Sequence, residues 1–236
     1  MTDRLATQLV LPPGPGPQVC PICRTWRSED HPWCGNCAQH AEQLGEPPVP
    51  VVPITLYRKP SEAREWVTNY KNPDDERAAS YGVNVASIVE RFFKENNSRI
   101  QAGVGGFDVI CMVPPTTNPL PGPLISALDA LPSRHLGSII QPLRRGPGDL
   151  SKRRASVDAF VADESAVEGK SLLLLDDVYT SGSTAQSCAA AIRAAGGAPK
   201  AIVVVGRRVN PEYSPLAQSL WDRQSSARFD YARVLP

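Results

Sequence analysis

The chain has 236 residues, 42% of them hydrophobic, with 25 basic against 24 acidic side chains and a net charge of +1. That balance excludes a protein held to nucleic acid by bulk charge, and no apolar run approaches the roughly 20 residues of a membrane span. The six cysteines form two Cys-x-x-Cys pairs and two singletons, which suits metal binding in a reducing cytoplasm better than a disulfide framework.

The length fits one sizeable domain with a small appendage. Leu9-Val10-Leu11 is too short an apolar run for a signal sequence. Prolines alternate with glycines over the following residues, so residues 1–16 are expected to be a flexible, unpacked N-terminus.

A small module spans residues 17–46. Cys20-Pro-Ile-Cys23 and Cys34-Gly-Asn-Cys37 each turn two thiolates toward one point, and four thiolates complete a closed tetrahedral Zn²⁺ site. A closed site leaves no coordination position for catalysis, so the metal is structural. His31 and His40 are alternative ligand types, but a histidine in such a module is more often at the surface. Two basic residues, Arg24 and Arg27, stand against Glu29, Asp30, Glu42 and Glu46, which makes the module a scaffold or docking unit and a poor DNA clamp.

Pro47-Pro48-Val49-Pro50 is a stiff linker into a domain expected over residues 47–210. Val51 to Tyr57 reads as a strand, and Ser61 caps a helix reaching about Tyr70. A longer helix runs from near Asp74 or Asp75 to about Asn96, with a core stripe of Ala79, Gly82, Ala86, Val89 and Phe93. Lys71 has the reach for a phosphate, although a solvated surface lysine is the simpler account. Phe107 to Val113 is a second apolar strand, followed by a proline-rich loop with no basic residue up to Pro123. Leu124 to Leu131 suggests a short helix and Leu136 to Leu143 a further strand. Arg144, Arg145, Lys152, Arg153 and Arg154 then make a basic loop, either a solvated turn or a contact for a pyrophosphate or a nucleic-acid backbone. Ala159 to Ala162 is a short edge strand.

Leu172 to Leu175 reads as a strand buried on both faces, with Asp176 and Asp177 following at its carboxyl end. Thr180-Ser181-Gly182-Ser183-Thr184 forms a small-residue loop, and an alanine-rich helix starts at Ala185. Such a loop admits a phosphate close to the backbone, and the amides at the helix start point toward it. The acid pair repels phosphate, so it faces hydroxyls such as those of a ribose. Ala201 to Val205 is another buried strand. The tail, residues 211–236, carries Trp221, Phe229 and Tyr231 and should pack back onto the domain. Cys111 and Cys188 are expected to be small buried residues. Alternating strands and helices over 51–206 give an α/β fold with an open, mostly parallel sheet.

The stretch from Leu172 to Thr184 resembles the signature of type I phosphoribosyltransferases, which bind phosphoribosyl pyrophosphate (PRPP). The resemblance implies that Asp176 and Asp177 hold the ribose hydroxyls and that Thr180, Ser181, Gly182, Ser183 and Thr184 hold the 5-phosphate, with Mg²⁺ bridging pyrophosphate and ribose oxygens. Within that superfamily the chain is most similar to the ComF group. The likeness rests on the double Cys-x-x-C module, on Asp-Asp-Val-Tyr-Thr-Ser-Gly-Ser-Thr, and on Tyr70-Lys71 with the basic segment from Leu150 to Arg154, covering about residues 17–208. It implies a role in competence, the import of single-stranded DNA alongside a helicase-like ATPase, and a transferase step with Arg153 or Arg154 closing over the pyrophosphate.

Two departures bear on that step. Relatives carry a His- and Arg-containing, glycine-rich segment where this chain has the uncharged stretch from Pro114 to Pro123. They also carry Gln before Leu150 and Asn at position 156, where this chain has Gly148 or Asp149 and Ser156. The ribose-phosphate half of the site is therefore expected to be intact and the pyrophosphate half altered, because negative charge gathers on that leaving group. Thr180 stands where transferases of 6-oxopurines place an acid, which argues against purine salvage of that type. Cys20 belongs to the metal set, which argues against a glutamine amidotransferase. Two functions follow: a PRPP-dependent transferase with an unknown acceptor, or a non-catalytic module that binds single-stranded DNA or a partner with PRPP as a sensing or structural ligand.

Overall fold

The computed structural model describes residues 2–115, 122–131, 135–151 and 153–235. Its centre is a five-stranded sheet in the order β1-β7-β6-β2-β3, every pair parallel. The chain begins with α1 (Thr2–Ala6), α2 (Gly35–Leu44), β1 (Val51–Tyr57) and α3 (Glu62–Asn69). It continues through α4 (Ala78–Val104), β2 (Val109–Met112), α5 (Pro123–Asp129) and β3 (Ile139–Ile140). A separate antiparallel ribbon pairs β4 (Leu143–Arg145) with β5 (Phe160–Ala162). The short α6 (Glu164–Val167) leads into β6 (Ser171–Tyr179), α7 (Ser183–Ala194) and β7 (Ala198–Arg208), and α8 (Pro215–Ser225) follows. The α/β architecture with an open parallel sheet is thus as expected.

Side chains alternate across the sheet, so two cores form. Ile54, Ile110, Leu173, Leu175, Val203 and Val205 pack on one face against α3, α4 and α5. Val51, Cys111, Leu172, Leu174, Ile202 and Val204 pack on the other against α7, the β4–β5 ribbon and the four module cysteines. Leu172 to Leu175 are fully buried, as a strand covered on both faces requires. Chain leaving β2 turns toward the first face and chain leaving β6 toward the second. The crevice between these two neighbours is the switch point at which open α/β sheets hold ligands.

Several boundaries differ from the sequence expectation, each for a tertiary reason. The first residues are not unpacked: Leu5, Leu9 and Leu11 are buried, and Val10 exchanges hydrogen bonds with the Thr55 side chain on β1. Ser61 does cap α3, its hydroxyl accepting from the Arg64 amide at 3.2 Å. Helix α4 starts three residues past Asp75 and leaves Ala79 exposed, while Gly82, Ala86, Val89 and Phe93 are buried. It runs through Asn96 because that side chain is fully buried and donates to the carbonyls of Phe92 and Tyr231, at 3.1 and 3.0 Å. The stretch from Leu136 to Leu143 splits into β3 and β4 at Pro142, which has no amide to donate. Arg144 and Arg145 accordingly sit on β4, not in a loop. The rest of the basic segment is irregular, with Lys152 outside the described residues, as are residues 116–121 of the proline-rich loop.

Trp221, Phe229 and Tyr231 of the tail are buried. Among the described residues, no helix is long and apolar enough to cross a membrane.

Candidate functional site

The carboxyl ends of β2 and β6 open into a cavity of about 190 Å³ lined by Tyr70, Lys71, Pro114, Gln141, Asp176 and Asp177 among others. A second, of about 530 Å³, is lined by Thr180 to Ala185 with Lys59, Ser151 and Arg208. The two share Asp176, Val178 and Thr184, so they form one cleft.

Asp176 and Asp177 do not follow β6 but lie within it. Strand β7 continues beside them, pairing Asp176 with Val204 and Tyr179 with Arg207, so the ladder does not end at the acids. Asp177 accepts a hydrogen bond from the Tyr70 hydroxyl and an ion pair from Lys71 Nζ at 2.6 Å. Burial, and the Asp177 carboxylate beside it, push Asp176 up to about 7, against the pull of Lys71. Tyr70 is pushed up by burial and by Asp177. The end of α3 thus closes one wall of the cleft, and Lys71 belongs to that wall, not to the solvated surface.

The loop after β6 is built around Tyr179. Gly182 has φ +95°, and a Cβ there would stand 2.0 Å from the Tyr179 hydroxyl oxygen, so only glycine lets the backbone lie on that ring. Gln186 fixes the ring from beneath: its amide bonds both backbone groups of Val49 at 2.9 Å and donates to the Tyr179 hydroxyl at 3.3 Å. Ser183 donates to the Ser151 carbonyl at 2.9 Å, and Ser187 bridges the Ser183 carbonyl to the Ser156 amide. The basic segment is therefore tied to the loop through its backbone. Gly182 caps α7, and the first amides of this twelve-residue helix face the cleft with the positive end of its dipole.

Asp176, Asp177 and residues 180–184 are brought together. Arg153 and Arg154 are exposed and are not among the residues lining the cleft. Two cations that were not singled out from sequence, Lys59 and Arg208, line the cavity beside the 180–184 loop instead. Both lie at or just beyond the ends of neighbouring parallel strands, where β1 and β7 pair Tyr57 with Arg208. That position is the signal that would have found them.

The four module cysteines are buried, and their sulfurs all lie within 4.8 Å of one another, with Cys23 and Cys34 at 3.5 Å. Four thiolates bound to Zn²⁺ at about 2.3 Å stand roughly 3.8 Å apart, so the cluster fits a metal ion such as zinc. The thiols also compete for protons: hydrogen bonds from the other three drive Cys20 down, and the same contacts drive Cys37 up. A bound cation removes that conflict by holding all four as thiolates. Arg24, at φ +55°, turns the first knuckle, and its guanidinium donates to the carbonyls of Pro13 and Val234. His40 is not at the surface: it is fully buried, neither ring nitrogen has a hydrogen-bond partner among the described residues, and burial lowers it to about 4. It lies outside the four-cysteine group. Cys111 and Cys188 are buried, as expected of small core residues, and burial pushes Cys111 up to about 12.

No protein-family model and no curated protein matches the chain. Among solved structures, a hypoxanthine phosphoribosyltransferase from Staphylococcus aureus is similar in its tetragonal and orthorhombic crystal forms, with 18% identity and TM-scores of 0.28 and 0.27. The match covers 50% of this chain and 61% of that one. The functional reading therefore rests on the residues of the cleft themselves.

Proposed function

We propose that the cleft binds PRPP, or a closely related sugar phosphate, and that the protein is a ComF-type phosphoribosyltransferase-like protein acting in DNA uptake. The observation that carries the ligand reading is the juxtaposition of a half-buried acid pair with a glycine-turned helix start under Lys59 and Arg208. The 5-phosphate accepts from the amides of residues 182–184 and is neutralised by those two cations. The ribose hydroxyls donate to Asp176 and Asp177, which Tyr70 and Lys71 hold in place. Asp176 and Asp177 would face a Mg²⁺ ion bound with the ligand, which would supply charge neutralisation at the pyrophosphate. Burial and the neighbouring Asp177 carboxylate raise Asp176, and a carboxylate pair held in this way suits a neighbouring cation.

Transfer breaks the bond from ribose C1 to pyrophosphate and forms one to a nucleophile of an acceptor. In this reading Arg153 and Arg154 reach the pyrophosphate when their segment, anchored at Ser151, folds over the cleft. The exposure of both arginines also favours the second reading, a module that binds single-stranded DNA and uses PRPP as a sensing ligand.

Calorimetric titration of PRPP with Mg²⁺ into wild type and an Asp176→Asn, Asp177→Asn variant tests the ligand. Saturable binding that the variant loses is the expected result, and no binding by folded, metal-loaded wild type rejects it. Release of pyrophosphate on adding bases, nucleotides or DNA ends separates the transferase from the sensor.

A further inference from the structure

We propose that Arg207 is a positioning residue that couples the four-cysteine metal site to the phosphate loop, so that metal occupancy and sugar-phosphate binding strengthen each other. This rests on the reading of residues 180–184 as the phosphate site. Arg207 comes from β7 and is 3% exposed. One arm of its guanidinium, Nη2, donates to Cys23 Sγ at 3.7 Å. The other, Nη1, donates to the carbonyls of Tyr179 at 3.0 Å, Arg208 at 2.9 Å and Thr180. Its plane also lies against the Tyr179 ring, 5.1 Å from the centroid. One rigid side chain therefore touches a metal-ligating sulfur, the ring under Gly182 and the two carbonyls that open the loop.

Charge gives the direction of the coupling. A divalent cation with four thiolates carries a net charge of about −2, and Arg207 is the buried cation hydrogen-bonded to one of those sulfurs. Loss of the metal releases the fixed arrangement of sulfurs against which one arm of Arg207 is held, and frees the guanidinium to swing. The carbonyls at 179 and 180 then lose their fixed donor, and the amides of the next turn lose their alignment on the phosphate. Groups beyond the ligand shell commonly tune metal sites in this way. Lysine cannot substitute, because a single ammonium lacks the planar fork that spans sulfur and carbonyls together.

Reciprocity turns this into a measurement. If the metal aligns the loop, a loop ligand must tighten the metal by the same factor. Zn²⁺ affinity of the full chain is measured by competition with a chromophoric chelator, with and without saturating ribose 5-phosphate, in wild type and Arg207→Lys. Ribose 5-phosphate is expected to tighten Zn²⁺ roughly tenfold in wild type and less than about twofold in the variant. Co²⁺ substitution reports by its absorption whether the variant keeps four-thiolate coordination, which a general loss of structure would not. Equal tightening in both proteins overturns the proposal, because the coupling then runs through packing alone. No tightening in a wild type that calorimetry shows to bind ribose 5-phosphate also overturns it. If wild type binds no ribose 5-phosphate, the ligand reading fails by itself, and hydrogen exchange of the amides at 180–184 with and without metal decides the coupling. Metal-dependent protection that Arg207→Lys abolishes supports it, and metal-independent protection overturns it. Should Arg207→Lys not fold, Arg207→Gln replaces it in each arm.

Discussion

Gly182→Ala is the sharpest probe of the loop over residues 180–184. Two separate costs fall on it. Holding an L-residue at φ +95° costs about 1 kcal/mol. The added Cβ would also stand 2.0 Å from the Tyr179 hydroxyl oxygen and 2.1 Å from its Cζ. That ring is 1% exposed and held by Gln186, so it cannot rotate into solvent. Overpacking of such a contact costs about 1–3 kcal/mol, which brings the expected loss to about 2–4 kcal/mol by urea denaturation. Gly169→Ala separates the terms, since Gly169 has φ +68° and nothing within 4 Å of its would-be Cβ. It should lose only about 1 kcal/mol and bind PRPP as wild type does, whereas Gly182→Ala should bind at least tenfold more weakly by calorimetry. Equal losses in the two variants would refute the argument that the Tyr179 ring is what demands glycine.

Asp176 sets a pH dependence of defined sign. Its carboxyl is raised from 3.8 to about 7 in the folded protein, so the folded state keeps its proton longer than the unfolded state does. The stability it contributes is complete below about pH 4 and is lost as pH rises toward about 7. Asp176→Asn should remove that decline and be more stable than wild type at pH 8, while losing ribose affinity. A wild-type-like pH profile of denaturation midpoints in the variant would rule this out. In the cysteine module, Cys37→Ser removes one of four buried sulfurs. Elemental analysis should find about one metal ion per wild-type chain and far less in the variant, whose thermal midpoint should no longer respond to chelator. Chelator-insensitive wild type would show that the module folds without metal.

Much of the candidate site is legible in the sequence because its residues are close together along the chain. Two cysteine pairs at short spacing, four leucines ahead of two carboxylates, and a glycine in a small-residue loop before an alanine-rich run all lie within single turns or strands. Their order alone constrains what they can do. Lys71 shows the limit. As a residue it is an ordinary surface lysine, and it becomes part of the cleft only because α3 delivers it 2.6 Å from Asp177, over a hundred positions away. Lys59 and Arg208 carry no local motif either, and line one cavity only because β1 and β7 are parallel neighbours. The boundaries that shifted have the same origin. Asn96 stays helical by bonding a carbonyl of the tail, and the N-terminal leucines order against a core that the sequence places far from them.

The sequence by itself determined the α/β alternation, the four-cysteine set, the acid pair and the glycine-containing loop after it, since each is written in periodicity or spacing over a few residues. Only the tertiary structure decided which cations face that loop, that burial and the Asp177 carboxylate raise Asp176, and that Arg207 joins the cysteine cluster to the carbonyls of Tyr179 and Thr180. Those outcomes depend on parallel pairing and burial, which bring together groups that share no neighbourhood along the chain.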